Sequence, residues 1–455
     1  MPIQNVKGTH DIIGAEADVY ENIENLLKHI ATVFAFKQVR PPVLEHSEVF
    51  VRGVGESSDV VRKEMYTFED KGGRSLTLRP EFTAGIIRLM VQNKILSNNE
   101  LPYKAFYLGP VFRYERPQLG RYRQFNQFGV ESVGHDSPVN DLEVIVLAYV
   151  ILQSLGLENV TIKINTLGDE ESRDNYRGAL KEYFASHLEK MCPDCHSRYE
   201  LNPLRILDCK VPEDQEIVKG APKMSNFLST ASKERFAFML KSLDELQIPY
   251  EVDEGLVRGL DYYSETVFEF HYTSKTGNNY GAIGAGGHYD KLVKELGGPD
   301  LPGVGFSFGI ERLVSVLSDD GLVNIEEDEG VAFYVMPLGI KSQVEALNVA
   351  NVIRMLGYAT DMCFDDVKLS SMFKRAEKKH ARYAVIIGEN EINNNEVIIK
   401  DLSTQQQTTI PMDILEDRCI DLMSQEHHCD CGCEHDDDEH EHHHDGECCC
   451  GHHHK

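Results

Sequence analysis

The sequence predicts an α+β fold: an antiparallel sheet with helices, a helical insertion, and a separate C-terminal α/β domain. Three observations predict this architecture. Two apolar, strand-like segments, 104–114 and 124–133, flank a loop rich in Pro, Gly and Arg, as in an antiparallel pair. Polar sequence of helical type fills about 168–250. After residue 331 strands alternate with helices, which is typical of an α/β domain.

The length and composition indicate a globular protein of several units. A chain of 455 residues, 41% hydrophobic and 26% charged, has the size of about three folded units and can bury a large core. We expect units at residues 1–325 and 331–424, followed by a low-complexity tail at 425–455. The apolar run Leu142–Leu157 is shorter than the ~20 residues that cross a bilayer, and the N-terminus has no secretory signal. A cytoplasmic protein without a membrane segment is therefore expected.

The first elements follow from apolar spacing. Apolar residues recur at helical intervals from Val19 to Phe34 and predict a long helix. It ends before Arg40-Pro41-Pro42, because proline disfavours helical backbone in the residue before it. Its apolar stripe must pack on a sheet or on a partner subunit. A short strand is expected at Ser75–Leu78 and a helix at 140–156.

The remaining elements lie beyond the insertion. Strands are expected at 266–272, 280–284 and 303–309, and the last runs into a helix at 310–317. Residues 318–330, rich in Asp, Glu and Gly, are predicted to be a linker. The C-terminal domain is predicted to hold strands 331–337, 359–362, 383–387 and 396–399 and helices 343–356 and 369–379.

The charge is unevenly distributed. The net charge of −28 taken alone argues against a nucleic-acid partner, but residues 426–455 contribute −9 of it, from ten acidic residues and one Lys. Basic residues cluster in Phe112–Phe125, which contains four arginines. Alternate residues of a hairpin share a face, and arginine suits phosphates while aromatic rings stack on bases. The side chains expected to converge there are Arg113, Glu115, Arg121, Arg123 and Phe125. A solvated hairpin with a few ion pairs is the alternative.

Three further clusters stand out: Leu78–Thr83, Leu256–Tyr263 and Gly284–Asp290. For the first two, turn chemistry beside a buried tyrosine is the structural alternative. In the third, glycines let the backbone approach a ligand closely, although tight strand turns use glycine as well.

The order of these clusters resembles the class II aminoacyl-tRNA synthetases and, within them, the histidyl-tRNA synthetases. The resemblance spans about residues 3–424. Lys7–Asp11 with the helix that follows resembles the family's opening and first motif, 112–128 the second motif, and 303–313 the third. Residues 256–263 and 284–290 resemble the histidine-specific signatures.

This resemblance implies a fold, a function and partners. The fold is the class II antiparallel sheet with a helical insertion and an anticodon-binding α/β domain at 331–424, in a homodimer. The function is that of a histidine–tRNA ligase. L-histidine and ATP with Mg²⁺ would give histidyl-adenylate and pyrophosphate, and transfer of histidine to tRNA(His) would release AMP.

The resemblance also implies residue roles. Arg113 matches the motif-two arginine that holds the α-phosphate, and Arg258 matches the histidine-signature arginine on its opposite side; both are expected to be catalytic. The residues matching the histidine site are Glu81, Thr83, Arg113, Gln127, Glu131, Arg258, Tyr262 and Tyr263. Those matching the ATP site are Arg113, Glu115, Arg121, Phe125 and Arg312. Those matching contacts to the tRNA acceptor end are Arg116, Gln118 and Arg123.

Two residues depart from the family pattern. His288 stands where an arginine usually precedes Tyr-Asp, which leaves open what that arginine anchors, a supporting ion pair being one interpretation. Phe82 stands where glycine is common, and in an extended segment it would point away from the pocket residues on either side.

Metal-ligand residue types occur in two places. Cys192, Cys195, His196 and Cys209 are zinc-type ligands, but the second pair lacks compact spacing, so loop packing is the favoured interpretation. Only five cysteines lie outside the tail, which suits a reducing compartment. In the tail, the candidate ligands for Zn, Ni or Cu are His427, His428, Cys429, Cys431, Cys433, Cys448, Cys449 and Cys450. A solvated end and a purification tag are the alternatives.

Two other functions remain open from the sequence. One is a non-catalytic paralogue, such as the synthetase-like regulatory subunit of ATP phosphoribosyltransferase. Such paralogues lack the anticodon domain and lose the histidine signatures, which are present here. The other is a metal-buffering protein in which the tail is the functional part. Histidine-dependent ATP–pyrophosphate exchange distinguishes all three.

Overall fold

The structure is a computed structural model that describes residues 3–116, 120–325 and 330–424. The chain divides into two compact units, residues 1–327 and 328–455. In the described ranges, none of the helices combines the length and apolar character needed to cross a membrane.

The first unit contains eleven helices and eleven strands among its described residues. The helices are α1 (Ala15–Val33), α2 (Ser47–Val54), α3 (Thr83–Gln92), α4 (Ile95–Asn98), α5 (Pro138–Ser154), α6 (Glu170–Ala185), α7 (Pro193–Leu201), α8 (Pro212–Val218), α9 (Thr230–Glu245), α10 (Leu292–Glu295) and α11 (Ile310–Asp319). The strands are β1 (Lys37–Gln38), β2 (Leu44–His46), β3 (Tyr66–Glu69), β4 (Ser75–Leu78), β5 (Tyr103–Phe112), β6 (Gln124–Val133), β7 (Val160–Thr166), β8 (Tyr250–Val252), β9 (Ser264–Thr273), β10 (Asn279–Tyr289) and β11 (Gly303–Gly309).

A large sheet organises this unit. Its strand order is β1-β5-β6-β11-β10-β9-β7-β8; all neighbours are antiparallel except the edge pairs β1–β5 and β7–β8. The predicted antiparallel sheet with helices is therefore observed. The expected strand at 280–284 is longer than predicted, because β10 continues to Tyr289 and takes the whole glycine cluster into the sheet. A small sheet, β2-β4-β3, lies apart from it.

The two faces of the large sheet pack against different elements. On one face, Phe106 and Phe128 join a core with α1, α5, α9 and α11. The stripe of α1 is buried there through Ile23, Leu27 and Ile30, so its packing partner is the chain's own sheet and neighbouring helices. On the other face, Tyr107 joins a core with α2, α3 and α10. Successive strand residues point to opposite faces, which explains this division.

The insertion is helical, as predicted. It comprises α6 to α9 and has a core of its own that includes Tyr176, Leu180 and Phe184. Its chain returns through β8, which pairs with β7 at the edge of the large sheet. Between α7 and α8 runs a 3₁₀ helix, Pro203–Asp208.

The second unit is a mixed α/β structure. In chain order it contains β12 (Phe333–Leu338), α12 (Gln343–Met355), β13 (Thr360–Met362), α13 (Leu369–Lys378), β14 (Tyr383–Gly388), α14 (Glu389–Asn394), β15 (Glu396–Asp401), β16 (Gln407–Pro411) and α15 (Leu415–Ser424). The strand order is β13-β12-β14-β15-β16, parallel in the first three strands and antiparallel in the last two pairs. The sequence did not predict β16, α14 or α15.

Candidate active site

Two adjoining cavities lie on the large sheet. We call the first the arginine cavity; it measures about 210 Å³, and its wall includes Arg113, Glu115, Arg121, Phe125, Glu311 and Arg312. We call the second the tyrosine cavity; it measures about 190 Å³, and its wall includes Glu81, Thr83, Tyr107, Glu131, Arg258, Tyr262, Tyr263 and Tyr289. Both are also lined by Arg113, Gln127, Ala285 and Ser307. The shared residues make the two cavities neighbours along one surface.

Glycines keep the floor of the tyrosine cavity open. Gly129 of β6 and Gly305 of β11 lie beside the residues that line the floor. A Cβ added at Gly129 would collide with the Tyr107 hydroxyl, and one at Gly305 would collide with the Glu131 carboxyl group. Any larger residue at either position would therefore displace a polar group of the cavity.

Glu131 is the centre of a buried polar network. The Thr83 hydroxyl donates to its Oε1 at 2.7 Å, and the Tyr289 hydroxyl donates to its Oε2 at 2.8 Å. Tyr107 donates to Oε1 at 3.4 Å. Burial raises the pKa of Glu131 to about 8, although the bonds from Thr83 and Tyr289 oppose the shift. In the unliganded protein Glu131 is therefore largely neutral at pH 7.

The segment around Phe82 begins a helix and is not extended. Phe82 has helical backbone geometry and immediately precedes α3, and the Glu81 carboxylate accepts the Thr83 amide at 2.6 Å and the Ala84 amide at 3.0 Å. Phe82 does point away from solvent, because its ring stacks on Tyr107 with centroids 4.4 Å apart. The Arg79 guanidinium covers the ring at 3.9 Å. The condition under which the sequence placed Phe82 away from its neighbours, an extended segment, is not met, because a helix begins here.

Arg113 lies at the junction of the two cavities. Its Nε donates to the Pro80 carbonyl at 2.8 Å, and this hydrogen bond holds the guanidinium in place. The guanidinium lies 5.5 Å from the centroid of Phe125 and 3.9 Å from Glu115 Oε1. The side chain lines both cavities.

The other predicted phosphate-site residues line the arginine cavity. Arg121 lies 3.6 Å from Glu115 Oε2, and its side chain is 51% exposed. Arg312 donates to the Ala282 carbonyl at 2.6 Å. Glu311 accepts the Asn126 amide at 2.8 and 2.9 Å, and burial raises its pKa to about 7. Glu311 thus ties α11 to β6 beneath the cavity.

Arg258 reaches the tyrosine cavity from a loop outside the sheet. It forms an ion pair with Glu269, whose other oxygen bonds to His271 Nε2 at 2.9 Å. Arg258 Nε and Gln127 Oε1 are buried and have no hydrogen-bond partner among the described residues. Buried polar groups are nearly always paired, so these two atoms indicate that the cavity is built around a polar ligand.

Two of the predicted contacts to the tRNA acceptor end, Arg116 and Arg123, line neither cavity. Arg116 is exposed. Arg123 stacks on Tyr114 at 4.0 Å and donates to the Glu115 carbonyl at 3.3 Å. The expectation that Arg123 converges with its neighbours was therefore wrong, because its side chain turns toward Tyr114. Gln118 and the predicted tail ligands, from His427 to Cys450, lie outside the described residues.

His288 is fully buried and belongs to an ion-pair network. Its Nδ1 bonds to Asp141 at 2.9 Å, and its Nε2 bonds to Asp290 at 3.1 Å. Arg235 binds the other Asp141 oxygen at 2.9 Å. Burial alone would lower the pKa of His288, but the Asp141 charge and the two carboxylate bonds raise it to about 10. A charged imidazole therefore pairs with two carboxylates. His288 thus supplies a cation at the position where the family usually has an arginine.

Some polar residues of the tyrosine cavity were not identified from the sequence. Tyr107, Tyr289 and Ser307 all line the tyrosine cavity, and Ser307 Oγ accepts a hydrogen bond from Gln127 at 2.9 Å. Tyr107 looked like one apolar strand residue among several. Only the pairing register, which sets Tyr107 opposite Gly129, brings it to Glu131. Tyr289 lay within a predicted cluster, without an assigned role.

Comparison with known proteins gives one consistent result. The sequence model of the family described as histidyl-tRNA synthetase matches residues 8–313, and that of the anticodon binding domain matches residues 332–422. A histidine–tRNA ligase from Bacillus subtilis (strain 168) is 43% identical over 407 residues, which cover 90% of this chain and 96% of the relative.

Solved structures agree with this result. The crystal structure of apo S. aureus histidyl-tRNA synthetase is 34% identical with a TM-score of 0.78, and the match covers 92% of this chain and 99% of that one. An ATP phosphoribosyltransferase regulatory subunit/histidyl-tRNA synthetase from Bacillus halodurans C is 20% identical with a TM-score of 0.58, over 85% of this chain and 99% of that one. The second likeness concerns the fold alone.

Proposed function

Since the chain belongs to the histidyl-tRNA synthetase family, we propose that its tyrosine cavity binds histidine and its arginine cavity binds ATP. Its activity is that of a histidine–tRNA ligase. Histidine and ATP form histidyl-adenylate and pyrophosphate, and histidine then passes to tRNA(His) with release of AMP. Arg113 lines both cavities, and this observation supports the assignment of one substrate to each cavity.

In the first step, the histidine carboxylate attacks the α-phosphate at the boundary of the cavities. Negative charge develops on the phosphate oxygens, and fixed cations aimed at that charge lower the barrier. Arg113 supplies one cation from the hairpin side, and Arg258 supplies a second from the opposite wall. Both are catalytic residues in this proposal. Glu269 holds Arg258 in place through their ion pair.

The arginine cavity fits a nucleotide triphosphate. Phe125 provides an aromatic face for adenine, and Arg121 and Arg312 provide charge for the phosphates. Class II synthetases in general use ATP with Mg²⁺. Mg²⁺ usually binds through one or two carboxylates together with substrate phosphates, and Glu115 on the cavity wall fits that requirement. When bound, the ion neutralises phosphate charge.

The tyrosine cavity fits histidine. Glu81, Thr83 and Gln127 would hold the α-amino group, since their oxygen atoms accept hydrogen bonds. Glu131, Tyr262 and Tyr263 would surround the imidazole. A competitor without ring nitrogens would leave buried polar groups unpaired, and such sites discriminate by large factors.

The remaining assignments concern tRNA and the division of the chain. We assign residues 1–325 to catalysis, with the insertion at about 168–250, and residues 331–424 to the anticodon. An anticodon domain implies tRNA as a partner. Arg116, Gln118 and Arg123 would meet the acceptor end, and the outward position of Arg116 is compatible with this role. The five described cysteines are all free, which suits the cytoplasm.

We also propose that the chain acts as a homodimer. Apolar side chains are exposed at the end of α1 and on the small sheet: Val33 at 68%, Leu44 at 46% and Phe68 at 45%. Light scattering should give twice the chain mass of 51.5 kDa. Leu44→Glu should shift the protein toward monomer, whereas Val344→Glu, a matched exposed position in the second unit, should not. A monomeric wild-type protein would contradict the proposal.

The tail, residues 425–455, is proposed to bind Zn, Ni or Cu without a role in charging tRNA. Thiolate and imidazole are suitable ligands for these metals. A chain ending at Ser424 should aminoacylate at the wild-type rate and carry less metal. Unchanged metal content would refute the binding, and lost charging would refute dispensability.

Histidine-dependent ATP–pyrophosphate exchange tests the function as a whole. The ligase should exchange pyrophosphate only when histidine is present, and should charge tRNA(His) with radioactive histidine. A regulatory paralogue would bind histidine without exchange, and a metal-buffering protein would do neither. Absence of exchange in folded protein would overturn the proposal.

A further inference from the structure

Three cysteines and one carboxylate meet inside the insertion. Cys192 immediately precedes α7, and Cys195 lies in the first turn of that helix. Cys209 follows the 3₁₀ helix 203–208, and Asp214 lies in the first turn of α8. One ligand atom from each residue lies within 4.8 Å of all the others. Among the described residues this is the group of His, Cys, Asp and Glu whose spacing fits a metal ion.

The distance between two of the sulfur atoms fits tetrahedral zinc. Cys192 Sγ and Cys209 Sγ are 3.9 Å apart, and Cys209 Sγ lies 3.1 Å from Asp214 Oδ2. Zn–S bonds of about 2.3 Å at tetrahedral angles place two sulfurs roughly 3.8 Å apart. A disulfide would bring them to about 2.05 Å. The cysteines are therefore spaced for a shared ion.

Asp214 gives a second, independent indication of a cation. Its side chain is 1% exposed, and it appears in none of the ion pairs between described residues. Its protein partners are the Cys192 amide at 3.2 Å and the cysteine thiols. A buried carboxylate is costly unless a positive charge or a metal accompanies it. His196, the ligand that the sequence suggested in this place, is exposed and outside the group.

We propose that Cys192, Cys195, Cys209 and Asp214 form a structural zinc site. Four protein ligands close the coordination sphere, which is the arrangement of structural and not catalytic zinc. Thiolates select zinc over Mg²⁺ or Ca²⁺, which prefer oxygen ligands. The ion joins three elements, α7, the 3₁₀ helix and α8, that otherwise depend on a small apolar core.

The site also supports the loop that carries Arg258. Between two of the ligands, Asn202 donates to Asp261 at 3.1 Å, and Arg205 forms an ion pair with Asp261 at 3.0 Å. Arg205 also donates to the Gly259 carbonyl. Zinc would therefore act as a positioning element for the loop 256–263. This last step rests on the proposed role of Arg258, whereas the metal site itself does not.

The first test is zinc content of the full chain, purified under reducing conditions and measured by mass spectrometry. Cys195→Ser and Asp214→Asn should each carry about one zinc fewer per chain than wild type. Cys363→Ser, a buried cysteine in the second unit, is the matched control and should carry the wild-type amount. The tail is identical in all four proteins, so its metal cancels in the comparison. Equal zinc in all four would overturn the proposal.

The second test reads the site directly and does not require a stable variant. The native wild-type chain is alkylated with and without a zinc-selective chelator, and labelled peptides are mapped. Cys192, Cys195 and Cys209 should react only after chelation. Equal labelling in both arms would mean that packing protects them, and a Cys192–Cys209 disulfide would mean redox chemistry. Either result would overturn the zinc site.

The third test concerns the loop. Chelation should reduce histidine-dependent exchange about tenfold or more, because a small displacement of a catalytic group is costly, and added zinc should restore it. Full exchange in zinc-free protein would refute the positioning role. The two proposals can be distinguished. If the proposed function is wrong, the zinc-loaded protein will show no exchange either.

Discussion

The two cavities of the candidate active site are built differently. In the tyrosine cavity, polar side chains are buried and bonded to each other; Glu131 is 1% exposed and bonded to Thr83 and Tyr289. In the arginine cavity, Arg121 is half exposed and its closest acidic partner lies 3.6 Å away. The first arrangement suits selection of one small ligand through fixed hydrogen bonds. The second suits charged phosphates, which tolerate mobile cations.

The largest effect is expected from Arg258, which lines the tyrosine cavity and is proposed to face the reacting α-phosphate. Arg258→Ala removes a fixed donor from the developing charge, which typically costs about 2.7–4 kcal/mol, or roughly 10²–10³ in rate. Pyrophosphate exchange should fall by that factor, while calorimetry still shows ATP binding. Arg177→Ala, an exposed arginine of the insertion, is the control. Near wild-type exchange in Arg258→Ala would remove Arg258 from the catalytic residues.

The second prediction separates the two cavities. Glu131→Gln disturbs a buried hydrogen-bond network, at a cost of about 1–3 kcal/mol. The KM for histidine should rise about ten- to hundredfold, and the KM for ATP should stay within about twofold. Glu265→Gln is the matched control, because Glu265 is also buried but lies outside both cavities. An equal rise of the KM for histidine and the KM for ATP would mean that Glu131 has a structural role.

A smaller effect is expected from Arg121, an exposed residue of the arginine cavity. Arg121→Ala removes a solvent-screened charge, and such charges contribute about 0.2–1 kcal/mol. The KM for ATP should rise only about two- to fivefold, and raising the salt concentration should reduce the difference. Arg74 is another exposed arginine, and Arg74→Ala should change neither the KM for ATP nor its dependence on salt. A loss of exchange activity as large as that expected for Arg258→Ala would show that the arginine cavity is as rigid as the tyrosine cavity.

The last prediction concerns stability against pH. The pKa of Glu131 is about 8 in the folded protein against an ordinary 4.5, so the native state holds a proton that the unfolded chain has lost. That stabilisation is complete below the unfolded pKa and is lost as the pH rises through about 8. The Tm of wild type should fall more steeply than that of Glu131→Gln between about pH 5 and 8, by a few degrees. Parallel curves would contradict the buried neutral state.

Apolar runs predicted β5, β6, β9, β10 and β11 of the large sheet, whereas β1, β7 and β8 were not predicted. The bounds of β4, β6 and β11 agree with the prediction to the residue. Strand alternation and the family resemblance together brought Gln127 and Glu131 to one cavity. The small elements α2 and α3 were not predicted, because short apolar runs give no distinct period.

The missing site residues depend on long-range geometry. Tyr107 joins the network only through its register with β6, and Asp214 joins the cysteines only because the start of α8 lies beside Cys192. Arg123 was misplaced for the opposite reason. Strict alternation assumes a regular strand, but Arg123 lies in the irregular segment before β6, where its side chain stacks on Tyr114.

The glycine floor of the tyrosine cavity limits how the enzyme can be redesigned. Pockets are normally enlarged by exchanging a side chain for a smaller one, but Gly129 and Gly305 have no side chain left to remove. If the cavity binds histidine as proposed, room for a bulkier imidazole analogue must come from other lining side chains, of which Tyr262 and Tyr263 are large. A mutant library for charging tRNA with unnatural histidine analogues should vary these tyrosines and keep both glycines.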